Sequence, residues 1–162
     1  MRSASPPVSG RKLLLVVDDT PEFETALRYA CRRARATDAR IVLLRVVEKS
    51  VFDHWAGVRD EIERQDRAEA EAALQKAAER VMSDLGRPAE FAIREGDTRS
   101  AVRAEVADDP EIKLLILAAA GGKNPGPLVS SIAKEGVAWG SRKIPVTVVP
   151  GELTDAEIDD LA

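Results

Sequence analysis

Short aliphatic runs recur along the chain, and longer stretches with apolar residues at helical spacing separate them. Unbroken runs of this kind are typical of strands covered on both faces of a parallel sheet. The predicted strands are Leu13–Val17, Ile41–Val47, Ala89–Glu95, Leu114–Ala119 and Ile144–Val149. Since Ala89–Glu95 alternates apolar and polar positions, we expect it nearer the sheet edge.

Helices are predicted in the intervals between these strands. Thr20 and Pro21 suit the cap and the first position of a helix, and Cys31 falls in its apolar row, which favours a core residue over a nucleophile. Arg59–Leu85 is predicted to be a long amphipathic helix with a solvated charged face. Its apolar positions are Ile62, Ala73, Leu74, Ala77, Ala78, Val81, Met82 and Leu85. A third helix is predicted to begin at Gly96-Asp97-Thr98.

The fourth strand leads into a loop, residues 121–127, that contains three glycines and two prolines. A fourth helix is expected to follow, along the row Leu128, Ile132, Gly136 and Trp139, with Gly140 closing it. Glycines let the backbone approach a ligand, and serines before a helix, here Ser130 and Ser131, leave free N–H groups that favour an anion such as phosphate. The alternative is a plain connection, because every strand-to-helix turn needs turn residues and a cap.

Strands and helices that alternate in this way predict an α/β fold with a five-stranded parallel sheet and helices on both faces. In such open sheets, ligands bind outside the carboxyl ends of the strands, where the strand order reverses. Asp18 and Gly121 both follow the carboxyl end of a predicted strand.

The two ends of the chain differ from its middle. Residues 1–11, rich in Ser and Pro near the start, predict a disordered lead-in to a single domain over 12–151. The acidic tail 152–162 contains a capping box from Thr154 to Glu157 and a Leu153–Ile158 staple, so one or two helical turns are expected there. What the tail packs against is left open. The aromatic segment Glu48–Gly57 either covers a pocket or anchors a loop.

Composition excludes several classes of function. A net charge of -4 with interleaved signs gives no basic field for nucleic acid, and no apolar run reaches the ~20 residues of a membrane span. A single cysteine excludes an internal disulfide and, with no apolar signal segment, indicates the cytoplasm. His54 is the only histidine, so zinc sites and histidine-based triads have little support, and we assign neither catalytic residues nor protein ligands to a metal.

Asp18 and Asp19 allow three interpretations. They can accept hydrogen bonds from adenine or ribose, ligate magnesium, or stabilise the dipole of the following helix. This segment also resembles the start of response-regulator receiver domains, whose paired acids bind magnesium beside a phosphoacceptor. That family requires a hydroxyl residue at the end of the fourth strand, where this chain has Ala118–Ala120, and a lysine at the end of the fifth, whereas Lys143 precedes it. A receiver-like phosphoacceptor domain is therefore a distant alternative.

Over Lys12–Pro150 the chain resembles the universal stress proteins of the UspA type. The resemblance rests on the first strand with Asp18, on Leu43-Leu44-Arg45-Val46-Val47, on Gly96, on Ser130-Ser131-Ile132-Ala133, and on Ile144-Pro145-Val146-Thr147-Val148-Val149. It implies an adenine-nucleotide alpha-hydrolase-like fold with strand order 3-2-1-4-5. It also implies a homodimer paired through the last strand, Ile144–Val149, whose aliphatic edge needs cover.

Nucleotide-binding members of this family carry Gly-x-x-Gly, nine residues, then Gly-Ser or Gly-Thr. Here the first glycine is replaced by Ala119, the final pair is Ser130-Ser131, and only seven residues separate Gly122 from Ser130. The lysine in Gly122-Lys123 is followed by Asn124 rather than Ser or Thr, so the loop is not a P-loop either.

The resemblance still implies a site for an adenine nucleotide, ATP with magnesium being the expected ligand. Its residues would be Val16, Asp18 and Val46 on the adenine side and Gly121, Gly122, Gly126, Ser130 and Ser131 on the phosphate side. The alternative is a dimeric interaction protein of the same fold that binds no nucleotide. A slow ATPase is a third, more distant one.

Overall fold

The computed structural model describes residues 10–49 and 56–162. In chain order the elements are β1 (Lys12–Val16), α1 (Phe23–Thr37), β2 (Arg40–Val47), α2 (Ala56–Leu85), β3 (Glu90–Glu95), α3 (Thr98–Asp108), β4 (Ile112–Ala119), α4 (Pro127–Glu135), β5 (Ala138–Trp139), β6 (Arg142–Lys143), β7 (Val146–Pro150) and α5 (Asp155–Leu161). The aromatic residues Phe52, His54 and Trp55, predicted to cover a pocket or anchor a loop, lie outside the described residues.

Five parallel strands form one sheet in the order β3-β2-β1-β4-β7. The predicted fold class and strand order are confirmed, with β7 as the fifth strand of the sheet. β3 lies at one edge, as its alternating pattern predicted, and β7 lies at the other. The order reverses at β1, which pairs with both β2 and β4, so the carboxyl ends of β1 and β4 flank the switch point where such sheets bind ligands.

Helices α1 and α2 cover one face of the sheet. Their buried residues meet Leu13, Leu15 and Leu43 in one core cluster, and the α2 residues buried there are Leu74, Ala77, Val81 and Leu85. Cys31 is 1% exposed, which confirms it as a core residue, and burial raises the pKa of its thiol to about 12. Met82, predicted on the apolar face of α2, is instead 48% exposed.

Helices α3 and α4 and a small hairpin cover the opposite face. The fourth helix was predicted to reach Trp139, which is wrong: α4 ends at Glu135, because Gly136 turns away at φ 79. Trp139 then pairs with Arg142 in an antiparallel β5–β6 hairpin and is 1% exposed. Trp139 is buried, as its place in the apolar row suggested, but it lies in a hairpin rather than in a helix.

The start of α1 also differs from the prediction. Thr20 was expected to cap the helix, but α1 begins at Phe23 and its N-cap residue, Glu22, makes no side-chain cap. The Thr20 hydroxyl donates instead to Asp18. By contrast, α3 begins as predicted, since the Asp97 carboxylate accepts from the Ser100 N–H.

An ion-pair network lies at the amino end of the sheet. The Lys12 ammonium, in a residue 7% exposed, lies 2.7 Å from Asp109, 3.0 Å from Glu90 and 3.3 Å from Glu111. Arg40 also pairs with Glu111. Burial opposes ionisation of Asp109, but its hydrogen bonds, chiefly from Lys12, outweigh burial and hold its pKa below the usual value. The network ties β1, β2, β3 and the start of β4 together.

The C-terminal tail packs on its own domain. The predicted capping box is present, with the Thr154 hydroxyl accepting from the Glu157 N–H and the Glu157 carboxylate accepting from the Thr154 N–H. Ile158 is 1% exposed. Two ion pairs, Arg28–Asp155 at 3.2 Å and Arg32–Asp159 at 2.6 Å, fix α5 along α1. In the described part of the chain, every helix is too short or too polar to cross a bilayer.

Candidate functional site

Two segments of the predicted site lie at the carboxyl ends of β1 and β4, where the strand order of the sheet reverses. Asp18 follows β1, and residues 120–126 link β4 to α4. Val16 at the end of β1 and Val46 near the end of β2 are partly buried on the α3 and α4 side of the sheet. They belong to the same apolar cluster as Leu128, Val129 and Ile132 of α4. The structure therefore places Val16 and Val46 on the face of the sheet that α4 covers.

The Asp18 carboxylate is exposed, and only part of its hydrogen-bonding capacity is used. Its Oδ1 accepts from the Thr20 N–H at 3.0 Å and from the Thr20 hydroxyl at 2.5 Å, which forms a local turn. Among the residues that the structure describes, Oδ2 has no hydrogen-bond partner. Asp18 is thus held by its own loop while one oxygen is left to accept from a ligand.

Asp19 is engaged differently. Its carboxylate accepts from both terminal nitrogens of Arg45, at 2.9 and 3.3 Å, and the hydrogen bond from Arg45 lowers its pKa. A carboxylate already paired with a guanidinium is a poor magnesium ligand. The described part of the chain holds no group of three or more His, Cys, Asp or Glu side chains arranged for a metal ion.

A cavity of about 260 Å³ opens beside Asp18, but on the other face of the sheet. Phe23 and Glu24 of α1 and Lys76 of α2 line it together with Asp18 and Asp19. None of the residues from Gly121 to Ser131 lines this cavity. Asp18 therefore lines the cavity on the α1 and α2 side, which is separate from the glycine loop.

A larger open cavity of about 660 Å³ lies between α2 and the ends of β2 and β3. Its lining mixes cationic and acidic side chains, among them Lys49, Arg64 and Arg67 with Glu48 and Glu63. Since charges of both signs line it, the cavity shows no preference for anions or cations.

The glycine loop is open. Gly122 and Gly126 adopt φ of 85 and 111, which non-glycine residues rarely adopt, and a Cβ at either position would meet nothing within 4 Å. Gly126 is the N-cap of α4 and offers no side chain, and Pro127 at the first position has no N–H. The early N–H groups of α4 are consequently left without a side-chain cap, as at helix ends that bind anions.

Ser130 and Ser131 lie within α4, not before it. The Ser130 N–H donates to Gly126 O at 3.0 Å as a regular helical bond, and the residue is half-buried. The Ser131 hydroxyl donates to Leu128 O at 2.7 Å and accepts from Arg99 at 3.0 Å. The Ser131 hydroxyl can therefore donate to a phosphate only by giving up its bond to the helix backbone.

Arg99 is a residue that the sequence did not single out. Its guanidinium lies 4.5 Å from the centre of the Trp139 ring, donates to Gly136 O at 2.9 Å, and pairs with Glu135 at 2.6 Å. With the bond to Ser131, this arginine joins α3, α4 and the β5–β6 hairpin. Nothing in the sequence marks Arg99 among the many charged residues of the chain.

Glu152 is the second residue that the sequence did not reveal. Its carboxylate lies against Gly121, so that a Cβ built on Gly121 would overlap it. The adjoining Gly151 donates from N–H to Ala119 O at 2.9 Å, and a Cβ there would collide with Glu22 of α1. The C-terminal segment thus crosses the end of β4 and brings an acidic side chain to the glycine loop.

Comparisons with known proteins agree with this architecture. The model of the universal stress protein family matches residues 10–150. The universal stress protein UspA from Lactobacillus plantarum has 21% identity and a TM-score of 0.69, over 86% of this chain and 97% of that one. A comparison with curated protein sequences found no match.

Two further solved structures are of nucleotide complexes. A universal stress protein family member from Arabidopsis thaliana with AMP bound has 19% identity and a TM-score of 0.59, over 86% of this chain and 91% of that one. The universal stress protein from Archaeoglobus fulgidus in complex with dAMP has 16% identity and a TM-score of 0.55, over 85% of this chain and 96% of that one. At these identities the likeness shows the fold.

Proposed function

Because the chain belongs to the universal stress protein family, we propose that it acts by binding an adenine nucleotide at the carboxyl ends of β1, β2 and β4. The observation that carries the proposal is the open loop before α4. Gly122 and Gly126 have positive φ, and among the described residues no atom lies within 4 Å of a Cβ built on either glycine and no side chain caps the helix. Backbone N–H groups in that arrangement are suited to an oxyanion.

The adenine side of the proposed site is formed by the neighbouring strand ends. Val16 and Val46 are partly buried in the cluster that α4 covers, so they offer apolar contacts for a base. Oδ2 of Asp18, which no described residue engages, would accept from the adenine amino group or a ribose hydroxyl. Structures of family members with AMP and dAMP support an adenine nucleotide as the ligand class.

The phosphate side would involve Gly121, Gly122, Gly126 and the serines of α4. Backbone N–H groups would contribute most, because the Ser131 hydroxyl is already engaged and Ser130 is half-buried. If ATP enters with magnesium, its own phosphate oxygens would hold the ion, since Asp19 is paired with Arg45. We assign binding and regulation to this site, without a reaction step.

Calorimetric titration with AMP and with ATP tests the proposal. Asp18→Ala should weaken AMP binding about tenfold or more, the loss expected for a hydrogen bond to a charged acceptor. Glu69→Ala, which changes an exposed carboxylate of α2, is the matched control and should bind like the wild type. The absence of binding by either nucleotide at millimolar concentration would refute the proposal.

We further propose a homodimer through β7. Among the strands that the structure describes, this one pairs with β4 alone, and Val148 on it is 40% exposed. An aliphatic edge strand in this state needs cover, and a second copy of the chain would supply it. The dimer without nucleotide is the alternative function, favoured by the Arg99–Ser131 bond that occupies the serine. Light scattering on the purified protein tests the dimer.

A further inference from the structure

The C-terminal segment brings an acidic side chain beside the glycine loop. Gly151 is wedged between Ala119 at the end of β4 and Glu22 at the start of α1, and Thr25 of α1 donates to its carbonyl at 3.0 Å. Beyond it, the buried Ile158 and the two ion pairs to α1 anchor α5. The backbone at Glu152 is therefore held near the loop, and the Glu152 carboxylate lies against Gly121.

Positive charge near the loop is limited. Arg99, the cation of α3 that reaches α4, is paired with Glu135 at 2.6 Å and is bonded to Ser131 and Gly136. Lys123 is exposed on the loop itself. The Glu152 carboxylate, exposed and without a salt-bridge partner among the described residues, lies against Gly121 of the same loop. At the loop, Glu152 therefore offsets the charge of Lys123.

We propose that Glu152 makes this site select adenine compounds of low negative charge, the nucleoside and the monophosphate, over the triphosphate. The inference rests on the proposed function. Each added phosphate group brings more negative charge toward the carboxylate that lies against Gly121, and like charges at close range repel. The shortened loop, with Ala119 in place of a glycine, offers fewer flexible positions to wrap a longer phosphate chain.

The experiment titrates adenosine, AMP and ATP into the full-length wild type, Glu152→Gln and Asp160→Asn. Glu152→Gln keeps the shape of the side chain and removes its charge, and Glu152 makes no hydrogen bond or ion pair among the described residues. Asp160→Asn is the matched control, because Asp160 is an exposed carboxylate on the same tail. Thermal unfolding of each variant checks that the fold is retained.

The wild type should bind AMP at least about tenfold more tightly than ATP. Glu152→Gln should tighten ATP binding about three- to tenfold and change adenosine binding less than about twofold, because only the charged ligand senses the carboxylate. Asp160→Asn should change neither the ATP affinity nor the adenosine affinity. Added salt should reduce the difference in affinity between AMP and ATP.

Two outcomes would overturn the inference, and only the second would also refute the proposed function. In the first, adenosine or AMP binds, but the wild type binds ATP as tightly as AMP, or Glu152→Gln leaves the ATP affinity unaltered. This outcome would reject the role of Glu152 and leave the proposed function in place. If no adenine compound binds to either the wild type or Glu152→Gln, the proposed function fails as well.

Discussion

The Arg99 guanidinium donates to the Ser131 hydroxyl across 3.0 Å, and this bond joins α3 to α4. Because no residue of α4 is fully buried, the helix depends on such contacts as well as on the partial burial of Leu128, Val129 and Ile132. The position of α4, and with it the glycine loop, is therefore set largely from the neighbouring helix.

Replacing Arg99 with alanine should lower the free energy of unfolding by about 1–3 kcal/mol. The substitution removes the contact with the Trp139 ring, the Glu135 pair and two hydrogen bonds, from a side chain only 17% exposed. Urea unfolding measures the change. Arg33→Ala, at an exposed position of α1, should shift the midpoint little. Equal stabilities for the two variants would show that Arg99 does not hold α4.

The C-terminal helix should contribute to the stability of the whole domain. Ile158→Ala removes a side chain that is 1% exposed, and truncations of this kind cost about 2–5 kcal/mol. Leu161→Ala, at a residue 58% exposed on the same helix, should change stability by less than about 0.5 kcal/mol. If Ile158→Ala unfolds at the wild-type urea concentration, α5 is not anchored on α1 in solution.

The ion network at Lys12 predicts an acid-sensitive stability. The pKa of Glu111 is lowered, first by its hydrogen bond with Arg40 and then by that with Lys12, and the pKa of Asp109 is lowered as well. A lowered carboxyl pKa gives stability that is present above the unfolded-state pKa of about 4 and is lost as pH falls through the folded-state value.

Unfolding midpoints measured from pH 7 down to pH 3 should therefore fall most steeply below about pH 4. In Lys12→Met the fall should be shallower, because the carboxylates lose the cation that lowers their pKa. A wild-type and a Lys12→Met profile with the same slope would contradict this explanation.

The edge strand β7 predicts the oligomeric state. The purified protein should scatter light as a dimer, and Val148→Lys should shift it toward the monomer, since a lysine on an edge strand opposes pairing. Val58→Lys, at an exposed apolar residue of α2, is the control and should remain dimeric. A wild-type monomer at high concentration would rule out the proposed interface.

Much of the fold could be predicted because parallel strands buried on both faces require aliphatic runs, and those runs are local features of the sequence. The same reasoning failed at Trp139. Residues 128, 132, 136 and 139 fit a helical row, but the row does not reveal that Gly136 takes a positive φ and that a hairpin follows. Buried apolar residues can therefore keep helical spacing along the chain even where the helix ends and a hairpin begins.

The candidate site was only partly predictable for a different reason. The strand pattern predicted the glycine loop at the carboxyl end of β4, and the family resemblance pointed to Val16 and Val46, which lie near the carboxyl ends of β1 and β2. The contacts Arg99–Ser131 and Glu152–Gly121 join residues about 30 positions apart in the chain, and no spacing rule connects them. Such contacts depend on how helices and loops pack, which a single sequence does not display.

Amide chemical shifts measured by NMR during titration with AMP locate the nucleotide on the protein. The amides of Val16, Val46, Gly122 and Gly126 should shift together and saturate with one affinity. Shifts confined to Glu24, Ala73 and Lys76, around the cavity between α1 and α2, would contradict the proposed site, as would a spectrum that AMP leaves unchanged.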